Sequence, residues 1–486
     1  MSQETEDKNI AENEQQGTFR EHLATAEGSG KRKWIFAKKP RGKFAKYKDI
    51  VSAILLILLF ILPFISTPNG NPIFQFDILN RQFYLFGAYF SPSDFYLFAI
   101  GLVTTIVFII VFTVVYGRIF CGWICPQTIF MEHVFRKIEY LIEGDRNKQI
   151  RLDNQGWDSE KVRKRLLKWT IFLFISFLIS NVLFTYVLGK EEMKKQILAG
   201  PSESPSLFIG FLVFVFLFYF VFAWLREQVC TFICPYGRLQ GVLIDKDTIN
   251  ITYDFIRGEG TAGRAKWRKN ENRKALGKGD CIDCDQCVVV CPTGIDIRNG
   301  SQLECINCTA CIDACDEVMI KTGLPTGLIR YASENMIENR TGFKFTPRVI
   351  AYTLVLTVLV SVCTSLLFVR SNVETKFLKE VGTQFTLEDD VVVDGYQFIF
   401  INKTTETKNL NVKVLHPKSG EIFLMGYGTK FTIKSKETLK GNATVKIPQS
   451  DLKKTKEEII IGVFDDKGQK VDEYKTNFIG PSKVKF

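Results

Sequence analysis

Five apolar stretches, at residues 50–66, 94–116, 169–188, 206–225 and 349–369, govern what this 486-residue chain can fold into. A helix crossing the roughly 30 Å hydrocarbon core of a bilayer needs about 20 residues, and none of the five stretches contains Lys or Arg. As buried helices of a soluble protein they would be unusually long and apolar on every face, so five membrane spans are the expectation. The first span follows about 50 polar and basic residues and no small-residue cleavage site comes after it, so it reads as an anchor and not as a signal peptide. The mean hydropathy of only +0.05 then requires large polar parts elsewhere.

The connecting segments differ sharply in basic residues. Residues 31–48 carry nine Lys and Arg, 117–168 eleven and 226–348 seventeen, against one in 67–93 and three in 189–205. Basic segments stay in the cytoplasm, which places the N-terminus inside and the tail after the fifth span outside. The expected organisation is a disordered cytoplasmic tail (1–30), a basic collar with four spans (31–225), a cytoplasmic segment (226–348), the fifth span (349–369) and a periplasmic β-domain (370–486). From about residue 383, short alternating strands separated by turn signals such as Asp465-Asp466-Lys467-Gly468 suggest an immunoglobulin-like β-sandwich. The net charge of +11 is explained by a collar facing anionic lipid, and no nucleic-acid motif appears.

Twelve of the 13 cysteines fall into motifs on the inferred cytoplasmic side. Cys281-x2-Cys284-x2-Cys287-x3-Cys291-Pro292 is followed by Cys305-x2-Cys308-x2-Cys311-x3-Cys315, the bacterial ferredoxin run written twice. In that run three thiolates hold three corners of a 4Fe-4S cubane, and the fourth ligand comes from the other motif. The expected sets are Cys281, Cys284, Cys287 and Cys315 for one cluster, and Cys305, Cys308, Cys311 and Cys291 for the second. Paired zinc sites and disulfides are the alternatives, the latter disfavoured in a reducing compartment. The remaining motifs, Cys121-Gly-Trp-Ile-Cys125-Pro126 and Cys230-Thr-Phe-Ile-Cys234-Pro235, follow the second and fourth spans, as a duplicated two-span unit would give. Their four thiols read either as structural cysteines or as a soft-metal site suited to copper(I), zinc or iron–sulfur chemistry. Cys363, in the fifth span, reads as packing. His133 is expected on a surface or interfacial helix beside Arg136 and Lys137, and His416 and Met425 carry little metal signal. No nucleotide-binding or Ser/His/Asp signature appears, and the spans contain no histidine to hold a haem. Electrons are therefore expected to stay on the cytoplasmic side, with the thiols of Cys121, Cys125, Cys230 and Cys234 as the nearest acceptor site.

The runs Arg118-Ile-Phe-Cys-Gly-Trp-Ile-Cys-Pro-Gln-Thr, Leu141-Ile-Glu-Gly-Asp-Arg146, Cys234-Pro-Tyr-Gly-Arg238, Gly294-Ile-Asp-Ile-Arg298-Asn-Gly and Cys311-Ile-Asp-Ala-Cys-Asp-Glu-Val-Met319 resemble the cytochrome c oxidase accessory proteins called CcoG, FixG or RdxA. The resemblance runs from the basic block near residue 31 into the β-domain. It implies a polyferredoxin-type protein of the bacterial inner membrane that acts as a cupric reductase in assembling cbb-type oxidases, with oxidase subunits or copper chaperones and a cytoplasmic electron donor as partners. Copper handling by the C-x3-C-P cysteines is an inference from softness and position. Two other readings compete with it: a quinol-linked polyferredoxin electron relay, and a non-enzymatic assembly scaffold.

Overall fold

The computed structural model describes residues 32–481 except 69, 79–81, 92–93, 270, 343–345, 370, 381–384, 389 and 453. The tail expected at 1–30 and the switch to strands expected near 383 lie outside the described residues. The chain divides into two compact units, one built from residues through Leu62, Gly101–Thr185 and Glu191–Val360, the other from Pro63–Ile100, Tyr186–Lys190 and Ser361–Phe486.

Four helices are long and apolar enough to cross a membrane: Phe95–Tyr116, Ser159–Leu188, Pro205–Leu225 and Pro347–Phe368. Their apolar side chains stay largely uncovered by protein; in the last, only 6% of the most apolar window is buried. Such a surface is stable only against lipid. The helix expected as a further span, Lys43–Ile61, is not among these four. Its first turns carry Lys43, Lys46 and Lys48, and its uninterrupted apolar part, 50–61, is about 18 Å long at about 1.5 Å per residue. Ser159–Leu188 starts ten residues before the expected span, because its first turns pair their charges inside the protein.

In the first unit, strand β4 (Asn250–Tyr253) pairs antiparallel with β5 (Ile329–Ala332) and closes the segment holding the two cysteine runs. A core of Ile251, Tyr253, Ile295, Ile297, Ile312, Met319, Leu328 and Ile329 surrounds Cys281, Cys287 and Cys315. The basic residues before the first helix are strapped to this module. Lys38 N donates to Val289 O, and Phe44 N and Ala45 N donate to the Asp313 carboxylate at 3.1 and 2.8 Å. Asp313 thus caps a helix start from a distant part of the chain, where an acidic group also meets the positive end of the helix dipole.

The second unit holds a small sheet of β1 (Phe74–Asp77), β2 (Gln82–Leu85) and β3 (Ala88–Phe90), which sequence patterning did not reveal, and a β-sandwich. One sandwich sheet has the order β10-β12-β8-β6 with β7 added to β8, the other β11-β9-β13-β14. These strands are β6 (Val373–Lys379), β7 (Thr386–Glu388), β8 (Val391–Asn402), β9 (Lys408–His416), β10 (Glu421–Leu424), β11 (Lys430–Ile433), β12 (Thr438–Pro448), β13 (Lys456–Asp465) and β14 (Lys470–Ile479). Alternate residues of β8 and β13, including Tyr396, Phe398, Phe400, Ile459, Ile461 and Val463, are fully buried, as period-two patterning requires. The β13–β14 turn closes on Asp465, whose side chain accepts from Lys467 N and Gln469 N, with Gly468 supplying the positive φ of 73°.

Candidate functional site: the thiol groups and their surroundings

The two ferredoxin loops share one backbone. In Cys281-Ile-Asp-Cys-Asp-Gln-Cys287 the residues at positive φ are Asp283 (52°) and Asp285 (55°); in Cys305-Ile-Asn-Cys-Thr-Ala-Cys311 they are Asn307 (53°) and Thr309 (66°). Left-handed non-glycine residues are uncommon, and alternation of right- and left-handed backbone turns successive N–H groups toward one concavity, a shape that suits an anion. A cluster held by four thiolates is anionic, so the loops are built for it.

Cysteines far apart in sequence become neighbours along the expected lines. Cys315 faces Cys287, Cys281 and Cys284, while Cys311 faces Cys308, Cys305 and Cys291, with Cys287 farther off. A small cavity is lined by Cys291, Cys305, Cys308 and Cys311, with Cys287 and Ile251, Ile295, Ile297 and Ile306 completing its walls. Burial pushes the thiols of Cys287 and Cys305 up to about 12. It pushes Cys308 up to about 11, where the Lys48 ammonium is the main opposing influence. Thiolate is the ligating form, so a buried neutral set must lose its protons as metal enters. Among the described residues no three His, Cys, Asp or Glu side chains converge tightly enough to share one ion. A structural zinc draws four sulfurs to about 2.3 Å of one centre, whereas a cubane takes each thiolate at a different iron. The spread thiols, apolar cavity and anion-shaped loops fit 4Fe-4S clusters.

The C-x3-C-P motifs are also built alike. Cys125 N bonds Phe120 O at 2.9 Å and Cys234 N bonds Val229 O at 2.8 Å, the same i→i−5 closure in both. Pro126 and Pro235 each open the next helix, and the preceding cysteine is extended, ψ 124° and 112°, as a residue before proline prefers. The four sulfurs are electrostatic neighbours: Cys230 faces Cys125, Cys121 and Cys234, and burial pushes Cys230 up to about 12 and Cys121 up to about 11. They do not close around a single ion.

This group abuts the second ferredoxin loop. A Cβ on Gly122 would lie 2.4 Å from Ile306 O and 2.7 Å from Asn307 O, so only glycine permits the approach. Arg118, 6% exposed, donates to Leu303 O and Gly237 O, and its charge reaches Cys121, Cys230 and Cys305. Asn307 Nδ2 donates to Asn250 Oδ1 at 3.0 Å, and Trp123 Nε1 donates to Tyr331 Oη at 3.1 Å.

Sequence reasoning missed a buried charge network beside these thiols. Arg226 binds Glu139 through two nitrogens at 3.0 and 2.8 Å, and Lys168 pairs with Glu139 at 3.1 Å and Glu143 at 2.8 Å. Glu227 pairs with Arg32 at 3.1 Å, and Arg136 with Glu132 at 2.9 Å. Arg32, Arg136 and Lys168 of the basic segments are thus paired within the protein. The only available signal was the excess of acids among the bases at 132–143. His133 lies on the wide-turned helix Ile129–Phe135 with its side chain 10% exposed and its Nδ1 2.9 Å from Asp49 Oδ1. The ring turns inward on this helix and bonds the half-exposed Asp49, next to the half-exposed Lys137.

Family models match three parts of the chain: a 4Fe-4S dicluster domain at 225–334, a 4Fe-4S binding domain at 98–148, and the IG-like fold at the C-terminal of FixG at 363–481. The chain is 33% identical over 428 residues to the nitrogen fixation protein FixG of Rhizobium meliloti, covering 79% of each chain. It is 32% identical over 456 residues to protein RdxB of Cereibacter sphaeroides, covering 89% of this chain and 94% of that one. Protein RdxA of the same organism is 38% identical over 301 residues, 61% of this chain and 62% of its own length. With the paired cysteine loops, the apolar helices and the C-terminal sandwich, these likenesses show that the chain belongs to the FixG family of polyferredoxin-type iron–sulfur membrane proteins.

Proposed function

We propose that this iron–sulfur electron-transfer protein is a cupric reductase, passing one electron to Cu(II) at the Cys121, Cys125, Cys230 and Cys234 thiols and releasing Cu(I) for the copper centre of a cbb-type oxidase. The observation that carries this reading is the contact of Gly122 with the carbonyls of Ile306 and Asn307, which sets the C-x3-C-P thiols directly against the loop of Cys305 and Cys308. When bound, the two clusters supply electrons one at a time. The chain's own part is to offer soft donors that favour Cu(I) over Cu(II) and to shield them from water. Oxidase subunits or a copper chaperone would receive the ion.

The match of a 4Fe-4S binding domain to residues 98–148, which contain Cys121 and Cys125 but none of the eight ferredoxin cysteines, favours a second reading: a third iron–sulfur site shared by the two C-x3-C-P motifs. One experiment separates the two. Anaerobically purified protein is assayed for iron, sulfide and chelator-trapped Cu(I) after reduction and addition of Cu(II), alongside the variant with all four cysteines replaced by serine. The copper reading expects about eight irons in both chains and loss of Cu(I) formation in the variant. Unchanged copper reduction overturns it, and about twelve irons falling to eight supports the third cluster.

The charge count supports an N-terminus and ferredoxin module in the cytoplasm and a periplasmic β-domain, with Lys43–Ile61 as a fifth crossing. The start of that helix is capped by Asp313, and the residues after it, from Pro63, belong with the β-domain in the second unit.

A further inference from the structure

The two cysteine runs have the same backbone but different electrostatic surroundings. Their left-handed positions are Asp283 and Asp285 in the first loop, neutral Asn307 and Thr309 in the second. Around the first loop, Asp283, Asp285 and Asp296 share a single cation, Arg298, at 2.7, 2.7 and 2.6 Å. Asp316 follows Cys315 directly. A second cation near this loop, Arg273, is engaged with the carbonyls of Ala265, Gly279 and Cys281.

Around the second loop lie two buried cations, Lys48 and Arg118, and one buried carboxylate, Asp313, whose oxygens are taken up by the amides of Phe44 and Ala45. Lys48, 8% exposed, lines the same pocket as Cys308, Thr309 and Ala310, and among the described residues it forms no ion pair. Glu132 lines that pocket too but is paired with Arg136. Arg118 near Cys305 and Arg273 at Cys281 are equally buried and both have only carbonyl partners, so they offset each other and Lys48 makes the difference between the loops. A charge in a low-dielectric interior acts strongly on its neighbours. Adding one electron adds one negative charge, which the second site accepts more readily than the first.

We propose that Lys48 is a positioning residue for the electron: it makes the site of Cys291, Cys305, Cys308 and Cys311 the higher-potential one, so that an electron arriving at the site of Cys281, Cys284, Cys287 and Cys315 moves on and rests beside the C-x3-C-P thiols. In this step one reduced cluster is oxidised by one electron and the other is reduced by the same electron, with no proton or bond change. The proposal rests on the cluster reading above, and it gives the chain a direction that a symmetric pair of sites would lack. Replacing Lys48 by an apolar residue takes away the unpaired cation, while Asn at 283 and 285 keeps the left-handed backbone and removes two carboxylates from the first loop.

The test is a redox titration of the full-length protein in detergent, followed by electron paramagnetic resonance with dithionite as reductant. Wild type is expected to bind about eight irons and eight sulfides and to reduce in two steps. Lys48→Met should lower the higher-potential step, changing the partition of the first electron between the sites by about tenfold or more, and leave the lower step in place. Lys48→Arg should behave as wild type. Asp283→Asn with Asp285→Asn should raise the lower step and leave the higher. If Lys48→Met loses iron, the double Asn variant, altered at half-exposed positions, decides alone. A shift of the opposite step in either variant, or no shift with iron content unchanged, overturns the proposal. Absence of iron and sulfide from the wild type overturns the cluster reading itself and the proposal with it.

Discussion

At Gly122 one missing methyl group decides how the first C-x3-C-P motif meets the second ferredoxin loop. Both atoms that a Cβ would strike are backbone carbonyls of the second loop, so neither can swing aside. Gly122→Ala is therefore expected to push that loop away and to lower bound iron toward half of the wild-type value, measured together with acid-labile sulfide, while the first loop stays loaded. Full iron content in this variant would show that the contact yields. The grouping of the cysteines was legible, because fixed gaps between thiols are a one-dimensional record of a loop that wraps around one place. The residues that surround these loops were not. Lys48 reads in the sequence as one more lysine of a basic block, and Arg118 as one more flanking charge. Only folding shows that both end up buried against cysteine loops more than 180 residues away, since nothing local about a lysine announces its partner.

At the scale of elements, the C-x3-C-P turns and the helices beside them depart from regular α geometry. Wide turns at Ile129–Phe135, Val221–Leu225 and Val229–Ile233 flank the thiols, a feature found at functional sites. Arg226 between two of them has φ 51°, a strained value for a side chain of that size, and its guanidinium is held by Glu139. Burial alone would raise the Glu139 carboxyl, but Arg226, Lys168 and Arg136 outweigh it and bring it down to about 2. A carboxylate depressed in the fold from its usual 4.5 adds stability above that value and loses it as pH falls toward 2; here the size is on the order of 3 kcal/mol. Glu139→Gln should thus lower stability at neutral pH by about 3–5 kcal/mol, the cost of leaving buried partners unpaired. It should also flatten the loss of stability between pH 5 and 2, read from thermal unfolding by circular dichroism. A variant as stable as wild type would mean that the network rearranges. Hydropathy located the apolar helices well but set the start of Ser159–Leu188 ten residues too late. An average over a window sees Lys161 and Lys168 as solvent-seeking, although Lys168 is fully paired inside.

For the whole molecule, the asymmetry of basic segments supports the proposed orientation, and it makes a simple prediction. Alkaline phosphatase fused after residue 480 should be active in intact bacterial cells, and the same enzyme fused at residue 340 should be inactive; the reverse pattern would overturn the proposed topology. The division into membrane helices, cysteine module and β-sandwich was readable because each part has its own period: none for the apolar helices, fixed cysteine gaps for the module, two for the strands. The sheet β1–β3 escaped notice because its strands are only three or four residues long, too few to establish a period. The Asp313 cap on Lys43–Ile61 has a consequence for how the protein is made. A ribosome delivers that helix some 250 residues before it delivers Asp313, so until then the first amide groups of the helix lack the carboxylate that caps them. It gains its cap only once the stretch between Cys311 and Cys315 has folded. A newly made chain that fails to build its second cysteine loop thus keeps an uncapped helix start far earlier in its sequence, and the two parts of the first unit become ordered together.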